Sequence, residues 1–214
     1  MNKDKKRTLE DIVTDIAKIM KKLDIDYAII GGIAVVCWGN IRTTRDVDII
    51  MDLKQEKIQK FVDVLRANDF SVEEYEIQEA LKEKSHFTIF DTLSVYHIDA
   101  KGAYGAGEKQ TIKTERKIDN NGVEILVASP EDTIINKLLF AREQDINDAI
   151  GIYLRQTGKL NEKYIEENVK KRGVYDELLK IKEKIKKYCK NREILNMLPK
   201  NMNLLAVSLK NAGN

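Results

Sequence analysis

Two cysteines, two histidines, two prolines and one tryptophan in 214 residues limit what this chain can be. Cys37 and Cys189 lie far apart and read as reduced thiols, so a disulfide framework is excluded. No zinc-ligand spacing occurs, and two histidines are too few for a conventional zinc site. The longest apolar stretch, Tyr27 to Trp38, is broken by Gly31-Gly32 and is shorter than the roughly 20 residues a bilayer span needs. The opening MNKDKKRTLEDIV lacks the apolar run of a signal peptide. The expectation is a cytoplasmic protein with no membrane partner. Neither charge dominates, with 37 basic against 35 acidic side chains. What is present, 43% hydrophobic and 34% charged residues, is a globular composition able to bury a real core.

Charge and periodicity divide the chain. Residues 155–214 carry 15 basic and 7 acidic side chains, a net +8, which leaves −6 on residues 1–154. Apolar spacing turns purely helical over the same stretch, so a boundary is placed after residue 157. The head is residues 1–157 and the basic helical region residues 158–214. No Pro/Ser linker separates them.

The head mixes helices and strands. A helix is predicted from Thr8 to Leu23, with Thr8 as cap, Asp11 three residues on, and Ile12, Ile16, Ile19 and Leu23 inward. Asp26 to Ile30 reads as a strand, Ile33 to Trp38 as a short buried helix, and Arg45 to Met51 as a strand. Lys54 to Arg66 is an amphipathic helix. His86 to Phe90 and Ser94 to Ile98 read as strands around an Asp91-Thr92 turn, and Glu124 to Val127 as another. Ser129-Pro130-Glu131-Asp132 starts a helix: a capping serine, proline at the first helical position, and acids at the positive end of the dipole. Further helices follow from Asp145 and through the tail, where Val174, Leu178, Ile181, Ile185 and Tyr188 form one stripe. The expected class is α+β, a mixed sheet flanked by helices and followed by a helical C-terminal region.

One stretch carries chemistry. A strand ends in Gly31-Gly32, a helix begins, and after thirteen further residues comes Asp46-Val47-Asp48 on an apolar strand. Two glycines let the backbone come close to a ligand, and the first helical N–H groups can hold phosphate. Asp46 and Asp48 share one strand face, roughly 7 Å apart at the backbone. At about 4 Å and an effective dielectric near 20, two carboxylates repel by about 4 kcal/mol. A divalent cation removes that penalty, and Mg²⁺ favours carboxylate oxygens together with substrate phosphates. A third carboxylate would complete the set. Asp99 is the first candidate and Asp91 the second.

These residues resemble the nucleotidyltransferase superfamily, whose head shares the fold of DNA polymerase beta. The pattern Gly31-Gly32…Gly39-x-x-Arg42-x-Thr44-x-Asp46-x-Asp48 looks most like the AbiEii-type branch, which includes toxins of type IV toxin–antitoxin pairs. The later stretch from Ser129 through Lys137, Arg142 and Asp145 to Asp148 is similar to that branch's second motif. The resemblance implies that Asp46, Asp48 and Asp99 are catalytic carboxylates binding Mg²⁺ or Mn²⁺. It places Gly31 and Gly32 at the nucleotide phosphates, Lys137 on the triphosphate, and Arg42 and Thr44 as braces of loop or phosphates. Arg142, Asp145 and Asp148 would support Lys137, with either Asp145 or Asp148 as its acidic partner.

Blander readings stand beside several of these. Lys137 adjoins apolar Ile134 and Leu138 and would then only extend its amine to solvent. Asp145 would cap its helix, and Asp148 would pair with Lys137 or Arg142. His97 shares a strand face with Asp99 and reads as a half-buried strand histidine. The lysines from Lys180 to Lys190 read either as a solvated helix face or as a phosphate-binding surface. The expected reaction is transfer of a nucleotidyl group from an NTP to a hydroxyl. The acceptor would be RNA, the tRNA 3′ end in particular, in a toxin role with a cognate antitoxin. The rivals are a small antibiotic-type acceptor and a catalytically silent nucleotide-binding module.

Overall fold

The computed structural model describes residues 7–190. Contacts divide the chain into two compact units. The first comprises residues up to Ile33 together with Thr43–Ala128. The second comprises Ala34–Arg42 and the residues from Ser129 onward. The charge-based boundary after residue 157 falls inside the second unit.

The first unit holds a seven-stranded mixed sheet. Its first helix, α1 (Leu9–Leu23), is capped as the sequence predicts. The Thr8 hydroxyl accepts from the Asp11 amide, and the Asp11 carboxylate accepts from the Thr8 amide. Burial of Ile12, Val13, Ile16, Ile19, Met20 and Leu23 gives the helix its place against the sheet. Then follow β1 (Tyr27–Ile29), the start of α2 (Gly31–Trp38), β2 (Asp46–Met51), α3 (Ile58–Arg66), β3 (Phe70–Ser71), α4 (Glu74–Glu83), β4 (His86–Asp91), β5 (His97–Gly102), α5 (Ala106–Lys113), β6 (Arg116–Asn120) and β7 (Val123–Val127). The strand order is β3-β4-β5-β2-β1-β7-β6. β2 with β5 and β1 with β7 are parallel, and the remaining neighbours are antiparallel. Helix α1 packs on β7 and β2, α4 on β4 and β5, and α5 on β1 and β2.

Period-two burial decides which face of the central strands is wet. Val47, Ile49 and Met51 of β2, Ile98 and Ala100 of β5, and Phe87 and Ile89 of β4 are buried. The intervening Asp46, Asp48, His97, Asp99 and Thr88 stay half exposed.

Two details differ from the sequence-based expectation. The strand expected at Ser94–Ile98 runs from His97 to Gly102 instead. Val95 is 92% exposed and lies in the turn, while Ile98 and Ala100 supply the buried alternation. Helices α4 and α5 and strands β3 and β6 are absent from the sequence reading. Their apolar content is low: α4 buries only Ile77 and Ala80, α5 only Thr111, and β6 only Ile118.

The second unit is helical: the rest of α2, then α6 (Pro130–Phe140), α7 (Glu143–Arg155), α8 (Glu162–Lys171) and α9 (Tyr175–Lys190). Ser129 caps α6 by accepting from the Asp132 amide, with Pro130 in the first turn. Ile134, Ile135, Leu138, Ala149, Ile152, Ile165, Val169, Leu178 and Ile181 form one buried cluster with Val35. Leu178 and Ile181 are the buried part of the α9 stripe, flanked by partly buried Val174 and Ile185. The side chain of Tyr188 lies outside the described set. Among the described residues, no helix is long and apolar enough to cross a membrane.

Candidate active site

In the first unit, the parallel pairing of β2 with β5 sets Asp46 beside His97 and Asp48 beside Asp99. The antiparallel partner β4 adds Phe90 next to His97 and Thr88 next to Asp99. Registered neighbours share a face, so six side chains line one patch in two rows.

Asp46, His97 and Asp99 form a cluster in which one potential ligand atom from each lies within 4.8 Å of the others. His97 Nε2 stands 3.6 Å from Asp99 Oδ2. Both carboxylates are oriented by threonines. Thr44 donates to Asp46 Oδ1 at 2.9 Å, and Thr88 donates to Asp99 Oδ1 at 2.9 Å. The sequence does not single out Thr88, and there His97 reads as an ordinary strand histidine. The signal for both is strand register, which is invisible until β4, β5 and β2 are paired.

Asp48 is outside that cluster of three and sits one row along. Its carboxylate lies over Gly31. A Cβ added at Gly31 would stand 1.8 Å from Asp48 Oδ2 and 2.6 Å from its Cγ. Gly31 also has φ +61°, the left-handed region. At Gly32 an added Cβ would meet Thr44 Oγ1 at 2.5 Å. The glycine pair is therefore required by the acidic loop itself: one glycine admits Asp48, and the other admits the threonine that holds Asp46.

Asp91 takes no part in this patch. Its side chain is fully buried and paired with the Arg7 guanidinium, which also binds Asp15. Between the two sequence candidates for a third carboxylate, the fold brings only Asp99 to Asp46.

The second unit gathers the other candidates into one ion-pair network. Lys137, on α6, lies 2.9 Å from Asp145 and 3.0 Å from Asp148, both on α7. Arg142 closes on Asp145 at 2.6 Å, and Arg42 on Asp148 at 2.7 Å. The sequence left Lys137 a choice of acidic partner, and the structure gives it both. The Gln144 amide, with its oxygen toward Arg42, accepts from Nη1 at 3.1 Å. Close approaches continue along the loop. Gly151 makes room for Asn40, Gly39 makes room for Ile152, and Gln156 donates to the Trp38 carbonyl. Arg42 is thus the end of a loop clamped along α7. Burial pushes the Asp145 carboxyl up, but hydrogen bonds and charge from Arg142 and Lys137 outweigh it and hold the group below the usual aspartate range.

Two outcomes follow. Gly31→Ala loses about 1–3 kcal/mol of stability in denaturant unfolding, from the positive φ and the contact with Asp48. Asp48→Ala in that background recovers only the contact part, so the double-mutant cycle is non-additive. For Asp145, a depressed folded pKa contributes stability above the unfolded value, and that stability disappears as pH falls through the folded value. Unfolding free energy measured from pH 6 to pH 2.5 should therefore drop more steeply below about pH 4 in the wild type than in Asp145→Asn.

Comparison with known proteins gives a family and a fold. A family described as nucleotidyltransferase of unknown function (DUF6036) matches residues 7–188. No curated protein matches the chain. Among solved structures, the fold is similar to an antigenic nucleotidyltransferase-like protein from Paracoccidioides brasiliensis, at 21% identity and TM-score 0.51, over 81% of this chain and 92% of that one. It is also similar to ANT(2'')-Ia, solved in complex with adenylyl-2''-tobramycin, at 15% identity and TM-score 0.54, over 78% of this chain and 99% of that one. At these identities the likeness is one of fold. The family match spans both units, and with it the glycine pair, the acidic strand and the Lys137 network: this chain belongs to the DUF6036 nucleotidyltransferases and is a nucleotidyltransferase.

Proposed function

We propose that the chain transfers a nucleoside monophosphate from an NTP to a hydroxyl, releasing pyrophosphate, with Mg²⁺ or Mn²⁺ as cofactor. The observation that carries this reading is the meeting of Asp46 and Asp99 on adjacent parallel strands beside Asp48 and the Gly31-Gly32 helix start. The donor set fits a small divalent cation: carboxylate oxygens on one half-exposed face, two of them already oriented by threonine hydroxyls. Asp46, Asp48 and Asp99 would hold the ion. When bound, it would neutralise triphosphate charge and favour attack by the acceptor oxygen.

The chain's own groups have separate tasks in this reading. The first amides of α2 lack partners within their helix and suit phosphate oxygens. Asp99, fixed by Thr88, accepts the proton of the incoming hydroxyl. Positioning and charge neutralisation supply most of the rate, as in phosphoryl transfer generally. The triphosphate contact of Lys137 comes from the sequence resemblance, and its two ion pairs give it a structural task as well.

For the acceptor we favour RNA, the tRNA 3′ end in particular. The support is the net +8 of residues 155–214, with Lys184, Lys186 and Lys187 exposed on α9. A toxin role opposed by an antitoxin follows from the resemblance to the AbiEii-type branch. The second reading is a small hydroxylated acceptor. It draws on fold likeness to an enzyme solved with adenylyl-2''-tobramycin and on the net −6 of residues 1–154.

Purified protein incubated with each labelled NTP, Mg²⁺ and total tRNA should leave label on RNA, at least 100-fold more than Asp46→Ala does, by about the loss expected of a catalytic group. Full transfer by Asp46→Ala would sink the site assignment. Label appearing on an aminoglycoside and never on RNA moves the acceptor to the second reading, and nucleotide binding without any product leaves a silent module. The toxin role predicts growth arrest on expression in cells, relieved by Asp46→Ala. Unimpaired growth with active enzyme present removes that role.

A further inference from the structure

The histidine in the acidic cluster has no part in the reading above. Its ring is about one-third exposed, with Nε2 directed at Asp99. At 3.6 Å that contact is longer than the roughly 2.7–3.2 Å of a hydrogen bond, so the pair does not satisfy itself. Asp99 already accepts from Thr88 through Oδ1, and Oδ2 is the oxygen that faces the imidazole. Asp46 likewise accepts from Thr44 through Oδ1. The ring lies beside Phe90, tilted 41° with centroids 6.3 Å apart.

Donors bound to one ion at about 2.1 Å lie about 3 to 4 Å from each other, according to whether they are adjacent or opposite. The ligand atoms of Asp46, His97 and Asp99 lie within 4.8 Å of one another, near that range, and the 3.6 Å from His97 Nε2 to Asp99 Oδ2 falls inside it. Register explains why: Asp46 and His97 are direct partners across β2 and β5, and Asp99 is two residues on along the same face.

We propose that His97 is a direct ligand of the divalent ion, with Asp46 and Asp99, and that this nitrogen donor makes the site prefer Mn²⁺ to Mg²⁺. The inference rests on the metal-dependent reading given above. Mg²⁺ takes oxygen ligands and keeps its waters, and it gains little from an imidazole. First-row transition ions bind nitrogen more tightly, and Mn²⁺ is the member that also suits carboxylates and phosphates. A site of three carboxylates would not separate the two ions this way. An ion pair between His97 and Asp99 without a metal is the other use of the same geometry.

Mn²⁺ is paramagnetic, so the test reads the ligand directly. Wild-type protein loaded with Mn²⁺ should show ¹⁴N coupling in pulsed electron paramagnetic resonance, replaced by ¹⁵N coupling on labelling the histidines. The chain has only two histidines, so His86→Ala should keep the signal and His97→Ala should lose it. Mn²⁺ affinity should fall about tenfold in His97→Ala, while Mg²⁺ affinity, read by competition, moves less than about twofold. His97→Gln, which returns an oxygen donor, guards against a folding defect and should shift preference toward Mg²⁺. Bound Mn²⁺ with no nitrogen coupling overturns the role of His97 but leaves the metal-dependent reading standing. Absence of Mn²⁺ binding, with and without NTP, overturns both.

Discussion

The parallel pairing of β2 with β5 is the constraint on which the acidic patch depends. Parallel neighbours cannot be joined by a tight turn, so the chain must travel away from β2 before it returns to its side. Here it does so through α3, β3, α4 and β4, and β4 then pairs with β5 from the other side. The result is a three-strand face on which Asp46, Asp48, Thr88, Phe90, His97 and Asp99 meet, though they come from three separate stretches of sequence. A slip of one residue would turn the carboxylates into the core and expose Val47 and Ile49. Full burial of those two and of Ile98 is worth about 1.5–3 kcal/mol each, which holds the acidic face outward.

Close packing of small residues does the rest. The glycine pair looks in sequence like a phosphate loop. In the structure its immediate neighbours are the chain's own polar groups, Asp48 at Gly31 and Thr44 at Gly32. These two roles are compatible, because a backbone without a Cβ can be approached from more than one side. The consequence is that the helix start and the acidic strand are one packed object. Neither can shift without the other.

The second unit shows how a charged cluster can be stable when largely buried. Asp145 and Asp148 would repel across a low-dielectric space if left alone. Lys137 sits between them, Arg142 takes the other oxygen of Asp145, and Arg42 shares Oδ2 of Asp148 with Lys137. Pairing of this kind offsets a desolvation cost that either carboxylate alone would not bear. It also ties the loop that ends at Arg42 to α7, so a residue that reads as part of the glycine–aspartate motif has its partners more than a hundred positions later.

Local chemistry made much of this legible in advance. The caps at Thr8 and Ser129, the amphipathic stripes of α1 and α3, the strand carrying Asp46 and Asp48, and the class of fold follow from neighbours a few residues apart. Such signals are written in the order of the chain. The polar helices α4 and α5 escaped because few of their residues are apolar enough to mark a face. β5 starts later than local pattern suggests because Val95, though β-branched, belongs to the exposed turn. Only tertiary structure could set Asp99 and not Asp91 near Asp46, give Lys137 both of its carboxylates, and bring His97 and Thr88 into the patch. Each of these depends on which strands or helices become neighbours and in what register. That is settled by burying the whole core at once, and no short window of sequence contains it.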